Sequence, residues 1–190
     1  MPRQGLDTRR VVDEAARIAD DEGLGEVTLA RVAQALGVRA PSLYNHVDGR
    51  AGLLRLLSMR SIDELADRLR DAAVGRAGAD ALIAIAHAYR DYAHRHPGRY
   101  SATLRAPAPG DEELAAVGGR AIEVMVAVLA GWGFAGDDAV HRVRVIRAAL
   151  HGFVSIEAEG GFGLPLDLDQ SFELLLATLV AGLEPAQRVH

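Results

Sequence analysis

The chain has 190 residues, a formal net charge of −5 from 21 basic and 26 acidic side chains, 49% apolar and 25% charged residues, and no cysteine. This composition excludes low-complexity disorder, disulfides and thiolate metal sites, and it fits one or two compact domains. All 21 basic residues are Arg. The charge is uneven: residues 1–60 hold nine Arg against eight acidic residues, and the remainder twelve against eighteen. A near-neutral N-terminal unit on an acidic body can still present a local basic face. No uninterrupted apolar run approaches the roughly 20 residues that span a bilayer, so no transmembrane helix is expected. MPRQGLDTRR at the N-terminus lacks the apolar core of a signal peptide, so the expected location is cytoplasmic, without membrane partners.

The pattern is helical throughout, with no sustained period-two alternation. A first helix is expected over Thr8–Glu22, with Asp7 or Thr8 as cap, an apolar stripe of Val11, Val12, Ala15, Ile18 and Ala19, and a stop at Gly23 and Gly25. Thr28 caps a second helix, 29–36, closed by Gly37. A very short third helix begins at Ala40-Pro41 and runs to Val47. Asp48-Gly49 breaks it, and a long fourth helix runs from Arg50 to about Ala73. Further helices are expected over 80–96, 99–105, 111–130, 137–159 and 168–183, with Pro185 opening a tail. The reading is an all-α chain of about nine helices.

Two short helices around a glycine turn at Gly37 outline a helix-turn-helix, in which the second helix enters the major groove N-terminus first. The leading residues would be Arg39, Ala40, Pro41, Ser42, Tyr44, Asn45 and His46, poor core material but suited to base edges and phosphates. An ordinary helical hairpin shares the outline; the polar composition separates the two. Thr28 stands at a helix N-terminus, where anions are favoured.

The run VTLARVAQALGVRAPSLYNHVDGRAGLL, residues 27–54, closely resembles the tetracycline-repressor (TetR) family of bacterial transcription regulators. AALHGFV (148–154), GGFGLP (160–165) and SFELL (171–175) resemble a C-terminal domain type marked by a Trp/Leu-His-Gly signature. The resemblance implies a three-helix DNA-binding domain, residues 1–50, and a helical ligand-binding and dimerisation domain, residues 51–190. It implies that Thr28, Tyr44, His46 and Arg50 hold phosphates, that Pro41 and Ser42 meet bases or their sugar-phosphate edge, and that Asn45 reads a base edge. Two residues after the threonine, the founding repressor carries a guanine-reading Arg. Ala30 stands there, beside Arg31, which leaves Arg39 as the preferred base reader. Asp48-Gly49 replaces a linker that is often Lys-rich in the family.

In the body, the last helix is apolar beyond one stripe, and the helix before it carries small residues. The expected dimer face comprises Ala149, Gly152, Phe153, Phe172, Leu176, Leu179 and Val180; a fully buried helix of the monomer is the alternative. Eight of nine aromatic residues lie after residue 60. Tyr92, Tyr100, Met125, Leu129, Trp132 and His151 are candidates for a mostly apolar effector pocket, although each suits a plain core equally. His94, His96, His141 and His151 lack ligand spacing, so no metal or other cofactor is expected. No phosphate-cradling loop, nucleophile elbow or zinc-protease motif is present, so no catalytic residue is assigned. The expected function is a ligand-responsive repressor that binds a palindromic double-stranded operator as a homodimer and is released by a small effector. A ligand-independent regulator with a filled cavity, and a small helical enzyme or ligand carrier, are the alternatives.

Overall fold

A computed structural model describes residues 6–184; the tail expected from Pro185 lies outside them. Among the described residues the secondary structure is entirely helical. Eight α-helices form: α1 Thr8–Glu22, α2 Leu29–Leu36, α3 Gly49–Ala73, α4 Gly78–Arg95, α5 Pro97–Thr103, α6 Glu112–Leu129, α7 Gly136–Ala158 and α8 Leu168–Ala181. Short 3-10 helices cover Leu24–Glu26, Ala40–Asn45 and Ala130–Trp132.

The sequence signals act as capping chemistry predicts. The Asp7 carboxylate accepts from the Arg10 amide at 2.7 Å, and the Thr28 hydroxyl oxygen accepts from the Arg31 amide at 3.1 Å. Gly37 takes a left-handed conformation, φ 66°, and its amide closes α2 onto the Ala33 and Gln34 carbonyls. The third helix departs from expectation. It is a 3-10 segment ending at Asn45, two residues short of Val47. Pro41 has no amide to donate, and the Ser42 amide and hydroxyl both turn back to the Arg39 carbonyl, at 3.0 and 2.7 Å. That i to i+3 closure selects the tighter helix.

The chain forms two compact units. Among the described residues the first comprises 6–64 and 95–118. Its core is built from Val11, Ala15, Ile18, Val27, Val32, Leu43, Leu53 and Leu57, with Ala102 of α5 joining them. Small side chains let helices approach closely here. A Cβ on Gly98 would stand 1.9 Å from the Ala19 carbonyl oxygen, so α5 can lie on the end of α1 only because residue 98 has no side chain. Arg99 reinforces the contact: its amide and Nε donate to the two Asp20 carboxylate oxygens at 2.9 and 2.7 Å. The Ser58 hydroxyl donates to the Ala102 carbonyl at 2.6 Å, and Arg60 pairs with Asp13 and Glu64.

Among the described residues the second unit comprises 65–94 and 119–184. Arg90 organises it. The guanidinium donates to both oxygens of Glu157 at 2.5 and 3.0 Å and to Asp169 at 2.7 Å, and it lies 4.7 Å from the Phe172 ring centroid. Phe172 also packs on Phe153, which packs on Phe162.

The segment Glu112–Trp132 is 21 residues long with a window of mean hydropathy 1.7, so by length and composition it could cross a membrane. This corrects the expectation from uninterrupted apolar runs. Arg120 and Glu123 break the run without lowering the average enough. Within it Leu114 and Val117, in the first unit, and Met125 and Leu129, in the second, are buried.

Candidate nucleic-acid interface

The head of the first unit presents Arg39, Pro41, Tyr44 and Asn45 to solvent, while Ala40, Ser42 and His46 are half-buried. Leu43 and Val47, 0% and 5% exposed, are the pegs that seat this short helix on α1 and α2. Tyr44 is 64% exposed, which no core requirement explains. The Thr8 hydroxyl donates to the His46 carbonyl at 3.3 Å and ties the end of the reading segment to the start of α1. This link has no local sequence signature.

The three expected cations are not equivalent. Arg39 is exposed and, among the described residues, its guanidinium makes no hydrogen bond or ion pair. Arg31 is paired with Glu22 through two hydrogen bonds, Nε at 2.9 Å and Nη2 at 2.5 Å. The hydrogen bond from Arg31 holds the Glu22 carboxyl below its usual range, and the same bond raises Arg31. Arg50 donates from Nε to the Val27 carbonyl at 2.8 Å and from Nη2 to the Gly25 carbonyl at 3.1 Å. It stitches the start of α3 to the segment that leads into the Thr28 cap. A guanidinium has five donors, so Arg50 and Arg31 each keep N–H groups for a phosphate, but their positions are already committed to the protein. Asp48 is exposed just after the short helix and adds negative charge there.

The partners of Arg31 and Arg50 are distant in sequence. Glu22 lies nine residues from Arg31, and Gly25 and Val27 lie more than twenty from Arg50, separations with no helical period. Fixing these side chains preorganises the head, and Arg39, Tyr44 and Asn45 are the exposed polar side chains of the short helix and its cap.

In the body, Tyr92, Met125 and Leu129 are buried and Trp132 and His151 are half-buried in the second unit, whereas buried Tyr100 belongs to the first. The Trp132 indole donates to Glu184 at 3.2 Å, and His151 Nδ1 lies 3.3 Å from the Ser155 hydroxyl. A hollow of about 500 Å³ in this unit has other walls, chiefly Val74, Ala77, Val124, Ala127 and Val128 with Arg70, Arg76 and Glu123. Of the expected dimer residues, Phe172 and Leu176 are buried within the chain itself. Ala149, Gly152, Phe153, Leu179 and Val180 are half-buried. Val145, Ile156 and Leu174, which the sequence reading left out of that set, are 63%, 44% and 69% exposed. Among the described residues no group of three potential metal ligands converges.

Residues 11–57 match the family model of bacterial regulatory proteins of the tetR family, and residues 82–179 match a tetracyclin repressor-like C-terminal domain. The HTH-type transcriptional regulator Rv0681 of Mycobacterium tuberculosis is 41% identical over 181 residues, covering 94% of this chain and 82% of that protein. Two solved structures at 22% identity share the fold. The TetR family protein ActR of Streptomyces coelicolor, in complex with (S)-DNPA, has a TM-score of 0.70 over 95% of this chain and 98% of its own. BioQ with its double-stranded DNA operator has a TM-score of 0.69 over 94% of this chain and 98% of its own. The exposed reading helix, the αL turn at Gly37 and both family matches place this chain in the TetR family of transcriptional regulators.

Proposed function

We propose that the protein is a homodimeric repressor that binds a two-fold operator through Arg39, Tyr44 and Asn45 and is released by a small, mostly apolar effector. The observation that carries this reading is the preorganised head, whose exposed polar side chains sit on a helix fixed by Leu43 and Val47. Arg39 reads a base edge, Asn45 a second, and Tyr44, His46 and the Thr28 hydroxyl hold phosphates. Arg50 and Arg31 act first as struts of the head.

One six-residue helix makes few base contacts, each good bidentate pair being worth roughly 1–3 kcal/mol, so specific affinity calls for two copies. The partner face lies on α7 and α8. Val145, Ala149, Gly152 and Ile156 follow one another at spacings of four, three and four along α7, and Leu174, Ala177 and Ala181 at spacings of three and four along α8. A Cβ on Gly152 would meet nothing within 4 Å, so packing inside the chain does not require glycine there; a closely approaching partner helix does. That BioQ was solved with its operator and ActR with a small molecule supports both halves of the proposal.

The effector acts by binding one conformation better than another. The buried state of Tyr92, Met125 and Leu129 favours a second reading, a regulator whose interior is filled by its own side chains. In either case the protein works at a bacterial chromosome in the cytoplasm and needs neither a catalytic group nor a cofactor. Fluorescence anisotropy on labelled DNA from upstream of its gene, with and without a panel of apolar small molecules, tests this. Salt-dependent binding that a compound weakens supports the proposal. Binding that no body-binding compound alters selects the second reading, and absence of binding overturns both.

A further inference from the structure

We propose that Glu22 acts as a brake on DNA affinity: by holding Arg31 it withholds one cation in each head from the phosphate backbone. Three observations carry this. The pair is bidentate, with Arg31 Nε on one carboxylate oxygen of Glu22 at 2.9 Å and Nη2 on the other at 2.5 Å, so the guanidinium is fixed in orientation as well as in position. The two side chains are 33% and 32% exposed, and exposed pairs add little to stability, so holding the fold does not account for this one. Finally, α1 has no use of its own for a carboxylate at residue 22. This is the last residue of the helix, where the negative end of the dipole disfavours an acid, and the Gly23 amide rather than Glu22 closes the helix. The neighbouring acids are engaged elsewhere, Asp20 by Arg99 and Asp21 by Arg17, whereas both hydrogen bonds to the Glu22 carboxylate among the described residues come from Arg31.

Arg31 lies in the first turn of α2, next to the Thr28 cap. In a helix-turn-helix this helix crosses the phosphate backbone, and a helix N-terminus favours anions. A cation there is placed for phosphate. Glu22 changes what it can do in two ways: it turns the guanidinium back towards the end of α1, and it makes the pair electrically neutral. The hydrogen bond from Arg31 keeps the Glu22 carboxyl below its usual range, so the offsetting charge is present at neutral pH. A guanidinium that meets a phosphate releases about one counterion whatever the sequence, and a neutral pair releases none. The brake therefore lowers affinity for operator and for arbitrary DNA alike, and leaves base reading to the short helix.

This inference rests on DNA binding by the head. Fluorescence anisotropy of the full chain across a salt series, on duplex from upstream of its gene and on a scrambled duplex, tests it. Glu22→Gln should steepen the dependence of log affinity on log salt by about one per head. At roughly 0.15 M salt it should tighten both duplexes about fivefold per head and keep their ratio within about twofold. Asp48→Asn removes an exposed acid from the same head without freeing a cation, and should change the slope by less than half as much. In the Arg31→Ala background, Glu22→Gln should do no more than Asp48→Asn does. An unchanged slope in Glu22→Gln, a full gain that survives without Arg31, or an equal gain from Asp48→Asn overturns the proposal. Circular dichroism checks that the variants fold. Where Glu22→Gln does not, the wild type decides: the Arg31 Nε–H resonance should keep its position as scrambled duplex is added, and a shift overturns the proposal. Failure of the wild type to bind any duplex overturns operator binding and the brake together, whereas binding with an unaltered slope in Glu22→Gln overturns the brake alone.

Discussion

Between Thr8 and Leu57, Tyr44 is the one exposed large apolar side chain among the described residues, and it carries a polar tip. In α7, α8 and the loop that joins them, Val145, Ile156, Leu164, Leu166 and Leu174 all face solvent, at 44–74% exposure. The head closes its core within one chain, using small residues, caps and side chains tied to backbone carbonyls. The body leaves apolar side chains exposed, and association as a dimer, as proposed above, would cover them, while the head presents polar groups.

Breaking the strip should have the largest effect. The double change Val145→Glu/Leu174→Glu should turn the dimer into a monomer in light scattering and lower operator affinity by about 100-fold or more, because the avidity of two half-sites is lost. Helicity by circular dichroism should persist, since both side chains are exposed. A dimeric double variant would place the interface elsewhere.

The head should break where its close packing is tightest. Gly98→Ala forces a methyl group against the Ala19 carbonyl, and thermal melting should show a loss of about 1–3 kcal/mol. Arg50→Ala should act more gently. It removes two hydrogen bonds from a partly exposed guanidinium and should cost about 1 kcal/mol of stability. As a strut, it should leave the salt dependence of DNA binding nearly unchanged. A slope reduced by about one per protomer would show that Arg50 is a phosphate contact instead.

The smallest effect sharpens the body through pH. The hydrogen bond from Arg90, aided by His94, outweighs burial and holds Glu157 below its ordinary value of 4.5. A carboxylate lowered in the folded state stabilises fully above the unfolded value and loses that contribution as pH falls through the lower, folded value. Glu157→Gln should therefore make stability flatter below pH 4.5 than in the wild type. Parallel pH–stability curves would remove Glu157 from the account.

Much of the fold was legible in the sequence because its signals are local. Asp7, Gly23, Thr28 and Gly37 fix helix ends through bonds spanning three to four residues, and α1 and α2 begin and end where those residues place them. The site was legible as residue types and illegible as partnerships. Arg31, Arg39 and Arg50 look alike in sequence, yet packing gives Arg31 a carboxylate partner and Arg50 two carbonyl partners and leaves Arg39 with neither. The body was harder for the same reason. An apolar helix such as α8 does not announce which face is core, so Phe172 and Leu176 were grouped with a partner face while exposed Leu174 was not.

The central claim is that Arg39 reads sequence while Arg31 and Arg50 brace the head. The most direct test is the ratio of affinities for operator and scrambled duplex, measured for the single alanine variants of these three arginines. The account predicts that Arg39→Ala narrows this ratio by about 10-fold or more, the loss of a good bidentate base contact, and that the other two leave it within about twofold. An unchanged ratio in Arg39→Ala, or an equal collapse in Arg31→Ala or Arg50→Ala, would contradict it.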